Sequence, residues 1–116
     1  MAGRSVALVG DDLMFASQLQ AAMSKVGGSC ALVVGDRVPV ADCVFVDLNR
    51  EQEERLELIA ALRSERPQQE IVGFCHHEEK LLRRRALDAG ATRVINNGAL
   101  QAVALRLVGI NVQERL

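Results

Sequence analysis

The chain has no tryptophan and no tyrosine, and its only aromatic residues are three phenylalanines. It therefore lacks the stacking platforms on which single-stranded nucleic acids are read. It has no excess of either charge sign, with 14 Lys and Arg against 15 Asp and Glu, a formal net charge of −1. No basic footprint for nucleic acid or an anionic membrane surface follows from that balance. No apolar run reaches the length that spans a bilayer. The start, Met1 to Ser5, leads into an apolar run that Gly10-Asp11-Asp12 breaks too early for a secretory leader. Cysteine is sparse and odd in number, three in all, without close pairing. That usage suits a reducing compartment, and a cytoplasmic location is expected. Repeats, low-complexity tracts and linkers are missing too. At 116 residues the chain is read as one domain, 1–116, with enough length for a real core.

What is present is organised around Cys43-Val44-Phe45-Val46-Asp47-Leu48-Asn49. Four apolar residues run directly into a carboxylate. Such a run reads as a strand buried on both faces, as in the middle of a parallel sheet. Ligands of open α/β sheets bind outside the carboxyl ends of the strands, which is where Asp47 would stand. Asp is also a favoured helix cap, so its neighbours must decide its role.

In chain order, Ser5 to Val9 reads as a short strand. The segment from Leu13 to Val26 carries apolar residues at helical spacing, and Gly27-Gly28 stops it. Cys30 to Val34 reads as a second strand, closed by Gly35-Asp36. The piece from Arg37 to Ala41 holds Pro39 and has room for a turn only. Beyond the central strand, Arg50 to Arg66 reads as a highly charged helix with a stripe of Leu58, Ile59 and Leu62, ended by Pro67. Ile71 to Cys75 reads as a strand, Glu78 to Ala89 as a helix stopped by Gly90, and Thr92 to Ile95 as a short strand. Asn96-Asn97-Gly98 reads as a turn with Asn97 or Gly98 at positive φ and a trans bond between them. Leu100, Val103, Ala104, Leu107 and Val108 stripe a last helix. Alternating strands and helices predict an α/β fold, a parallel sheet wound on both faces.

This ordered set resembles the receiver domain of bacterial response regulators, over roughly Ser5 to Val108. The residues that carry the resemblance are the acidic pair Asp11-Asp12 after strand one, Asp47 ending strand three, the run Leu56 to Arg63, and Ala89-Gly90-Ala91 before strand five. The resemblance implies a flavodoxin-like, CheY-like sheet of five parallel strands in the order 2-1-3-4-5. The short segment between strands two and three implies a second helix that is reduced or lost. It also implies a site: Asp47 as phospho-acceptor, and Mg²⁺ held by Asp11, Asp12, Asp47 and the backbone carbonyl of Asn49. A histidine kinase would supply the phosphoryl group.

The departures from the family pattern are equally specific. Cys75 stands where a hydroxyl residue is expected, and a thiol donates weakly. Val94 replaces the switching aromatic, Asn97 the lysine, Gly98 the proline after it, and Arg55 a glycine. Gly10 stands where a second acid is usual. The expectation is a degenerate, atypical receiver that is not an enzyme. It would act as a protein-interaction module, a pseudo-receiver, without efficient phosphorylation. The alternative is a Mg²⁺-dependent phospho-acceptor at Asp47. The partner would be another signalling protein, a histidine kinase or a second copy, met through Leu81, Arg83, Arg84 and Val94. Other motifs carry less. Cys75-His76-His77 cannot easily converge on a zinc ion, because neighbours on a strand point apart, and no G-x-G-x-x-G marks a dinucleotide site.

Overall fold

A computed structural model describes residues 4–108. The elements are β1 (Ser5–Val9), α1 (Leu13–Lys25), β2 (Ser29–Val33), β3 (Cys43–Asp47), α2 (Gln52–Glu65), β4 (Glu70–Cys75), α3 (Lys80–Ala89), β5 (Arg93–Asn96) and α4 (Leu100–Val108), with a 3-10 turn at Asn97–Ala99. The five strands form one parallel sheet in the order β2-β1-β3-β4-β5. This is the doubly wound sheet expected from the chain's alternation.

Strand periodicity sorts the core into two layers. Val6, Leu8, Cys43 and Phe45 face α1 and α4. Ala7, Val9, Val44 and Val46 face α2 and α3. Every residue of β3 is buried, which is why its sequence is a continuous apolar run rather than an alternating one. On the first face Phe15 of α1 meets Phe74 of β4 edge-on, with ring centroids 5.0 Å apart.

Of the two outcomes expected for the second helix, reduced or lost, the second holds among the described residues. Residues 34–42 cross from β2 to β3 without a helix. Gly35 at φ +118° and Pro39 leave this short piece no continuous run of helical residues. Val38 alone tucks from the middle of it into the core, while Val34 and Val40 stay exposed. The predicted helix from Glu78 starts later, at Lys80, because the chain first turns, with Glu79 N–H donating to His76 O at 3.2 Å. Asn97 and Gly98 form the 3-10 turn without positive φ, contrary to expectation, and their bond is trans.

Arg63 of α2 clamps the turn ahead of β5. Its Nε donates to Gly90 O at 2.9 Å, Nη1 to Pro67 O at 2.8 Å, and Nη2 to Thr92 Oγ1 at 3.2 Å. Gly90, the stop of α3, has φ +128°.

Candidate functional site

The site lies where the carboxyl ends of β1, β3 and β5 meet. Asp47 is buried there, 4% exposed. Its Oδ1 accepts two bonds from one residue, Asn49 N–H at 2.8 Å and Asn49 Nδ2 at 2.7 Å. The chain turns back on the carboxylate two residues on, the local closure that Asp favours. Asn49 then pairs amide to amide with Asn97: Nδ2 donates to Asn97 Oδ1 at 3.0 Å, and Asn97 Nδ2 returns a bond to Asn49 Oδ1 at 3.1 Å. Asn49 and Asn97 thus join the end of β3 to the end of β5. At the position where the resemblance implies a lysine, a neutral amide is engaged with another neutral amide.

A cation does reach the site, from another direction. Arg55 of α2 is buried, and its Nη1 donates to the backbone carbonyl of Asp47 at 2.7 Å and, more weakly, to that of Val9 at 3.5 Å. Its Nη2 lies 3.8 Å from Glu51 Oε1. Arg55 thus sits under the ends of β1 and β3 and caps the carbonyl that ends β3. Sequence reasoning assigned it no role, although a signal existed. Arg55, Ile59 and Leu62 are spaced i, i+4, i+7 and share the buried face of α2.

Gly10 explains itself in the same place. A Cβ on it would stand 3.0 Å from Asp47 Cβ, 3.4 Å from Asp47 Oδ2 and 3.7 Å from Arg55 Nη1. The missing acid at this position is thus also missing room. The end of β1 closes directly onto Asp47, and the guanidinium shares that space.

The carboxylates expected to gather around a metal do not gather. Asp12 is the N-cap of α1, its Oδ1 accepting Met14 N–H at 2.9 Å. Asp11 lines a cleft with Asp36 and acids of α2, a cleft that Asp47 does not line. Among the described residues no three His, Cys, Asp or Glu side chains form a group suited to a metal ion. Mg²⁺ demands near-octahedral oxygen coordination. With Asp12 committed to a cap and Asp47 Oδ1 already taking two donors, the oxygens left to hold such an ion are Asp11, Asp47 Oδ2 and the backbone carbonyl of Asn49.

The remaining predicted positions fall as follows. Cys75 is buried at the end of β4, and burial raises its thiol pKa above the ordinary value, so it stays protonated at neutral pH. His76 and His77 are exposed and stack on each other at 4.6 Å. Val94 packs against the core layer beneath α2 and α3. Leu81 and Arg84 are exposed on α3. Arg83, expected beside them as a contact residue, is committed instead. Its Nη1 donates to Val94 O at 3.2 Å and its Nη2 to Asn96 Oδ1. Charge reversal there would disturb the β5 edge as well as any partner.

No protein-family model and no curated protein matches the chain. Solved structures do. A CheY-like protein (TadZ) from Pseudomonas aeruginosa is 19% identical, with 93% of this chain and 95% of that chain covered at a TM-score of 0.75. A response regulator from Thermotoga maritima is 23% identical, with 93% and 99% covered at 0.77. A CheY-like response regulator receiver domain protein from Methanospirillum hungatei is 14% identical, with 97% and 96% covered at 0.77. The chain therefore has the flavodoxin-like fold of CheY-like receiver domains.

Proposed function

We propose that this chain is an atypical receiver-like domain that works in bacterial signal transduction as a protein-interaction module, without efficient phosphorylation at Asp47. The observation that carries this reading is the closed state of Asp47. Its Oδ1 is held by both N–H groups of Asn49, and the amide of Asn97 stands where a cation would meet an incoming phosphoryl group. Removing one such charge-stabilising donor typically costs about 2.7–4 kcal/mol of barrier. The buried thiol of Cys75 adds no strong donor to replace it. The domain would act through contacts with another signalling protein, a histidine kinase included, on the exposed side of α3 around Leu81 and Arg84. It would carry out no chemistry of its own.

A second reading, slow Mg²⁺-dependent phosphorylation of Asp47, has one observation in its favour. Arg55 brings a guanidinium to the same strand ends. The test is incubation with acetyl phosphate and Mg²⁺, followed by intact-mass measurement. The expected result is an unmodified chain over hours. Stoichiometric phosphorylation that an Asp47→Asn change abolishes would overturn the proposal and establish the second reading.

A further inference from the structure

The crossover from β2 to β3 is the one connection between consecutive strands, among the described residues, that carries no α-helix. Where a helix would lie, a cleft of about 520 Å³ runs between the chain after β2 and α2. Val34 and Leu58 give it an apolar lining, and Asp11, Asp36, Glu54 and Glu57 give it carboxylates. Its single lining cation, Arg55, is already spent on backbone carbonyls. The cleft is therefore apolar within, acidic overall and open. An occupant that neutralises it must bring both apolar side chains and positive charge.

Such a surface exists elsewhere on the same molecule. α3 exposes Lys80, Leu81, Arg84 and Leu87, with Leu81 74% and Leu87 47% exposed. Positions 80, 84 and 87 are spaced i, i+4, i+7 and share one face of the helix. Arg83 and Arg85 are tied down, the latter to Glu53 at 2.7 Å. The side chains of Lys80 and Arg84 make no hydrogen bond or ion pair with the described residues. The near-zero net charge thus hides an acidic cleft and, on α3, a face whose two unpaired cations outnumber its exposed carboxylate, Asp88.

We propose that the occupant of the cleft is α3 of a second copy of this chain. Leu81 and Leu87 fill the apolar part, and Lys80 and Arg84 meet Glu54 and Glu57. Cleft and helix are different surfaces, so the contact is heterologous. Each copy then keeps one unsatisfied cleft or helix, and association grows head to tail. Phosphorylation is read from covalent mass and association from sedimentation, so this proposal and the functional one fail separately.

The test is sedimentation velocity on the full chain over a concentration series, at low and high salt. The wild type should sediment faster as concentration rises, and less so in high salt. The double variants Glu54→Lys/Glu57→Lys and Lys80→Glu/Arg84→Glu should each associate at least about tenfold more weakly. An equimolar mixture of the two should regain association, because each then supplies the complement the other lost. Circular dichroism checks folding. If a reversal variant misfolds, Arg84→Gln, Glu57→Gln and Leu81→Gln, all at exposed positions, take its place and should each weaken association. A wild type that stays monomeric to about 1 mM overturns the proposal, that concentration marking contacts of negligible affinity. So do folded variants that associate as the wild type does, or a mixture that stays monomeric.

Discussion

Replacing Arg55 by methionine is expected to cost about 2–3 kcal/mol of stability, the range for hydrogen bonds made by a charged group. The unbranched thioether chain fills much of the same buried space. It cannot donate, however, and the carbonyls of Asp47 and Val9 lose their partner. The Asp47 carbonyl, at the buried end of β3, carries most of this cost, since an unpaired acceptor is expensive there. For a chain of this size the loss should lower Tm by about 10 °C, at roughly 4 °C per kcal/mol. Arg55→Lys should fall between the two, since an ammonium is a point charge without the planar fork that sets Nη1 on the Asp47 carbonyl and Nη2 towards Glu51. Thermal unfolding of the three proteins checks the ranking. A methionine variant as stable as the wild type would mean that the guanidinium merely fills space.

Gly90→Ala should cost about 3 kcal/mol, for two separable reasons. An alanine at φ +128° occupies backbone space that L-residues avoid, a strain of about 1–3 kcal/mol. Its Cβ would also stand 2.7 Å from Arg63 Cβ and 2.9 Å from Cγ, which forces the clamp on Pro67 and Thr92 aside. Overpacking of that kind adds about 1–3 kcal/mol. A double-mutant cycle separates the two. In an Arg63→Gly background, which removes both Cβ and Cγ, the collision disappears and the backbone strain remains, so Gly90→Ala should cost about 1 kcal/mol less there. Denaturant titration of the four proteins reads the coupling. Strict additivity would rule out the steric part.

The fold was legible because its signals are local. The uninterrupted run Cys43–Val46 could only be a strand buried on both faces, and the carboxylate at its end had to stand at the rim. The site was legible only in part, because its bonds join distant positions. Asn49 and Asn97 are separated by 48 residues, and no property of either predicts that their amides pair. Arg55 sits in a segment so rich in charge that one arginine turned inward is inconspicuous, even though it lies on the helical stripe of Ile59 and Leu62. Asp12 belonged to the acidic pair by sequence and to the start of α1 by structure, and a helix needing a cap took the carboxylate. Glu78 and Glu79 are good helix formers, yet they belong to a turn, since the hydrogen bond to His76 bends the chain before α3 begins. For the asparagines and Arg55 a tertiary contact decided the outcome, while for Asp12 and the Glu78-Glu79 turn one local bond outweighed another.

The uncovered crossover has a consequence for how the molecule comes apart. β2 pairs with β1 alone, and most of its side chains remain at least partly in water. The opposite border strand, β5, is instead pinned by Arg83, by the pair Arg93–Glu70 and by the turn at Asn97. Local opening follows the poorest burial and the fewest bonds. The sheet should therefore unzip from one side, and deuterium should enter the amides of β2 through small fluctuations while those of β3 wait for global unfolding.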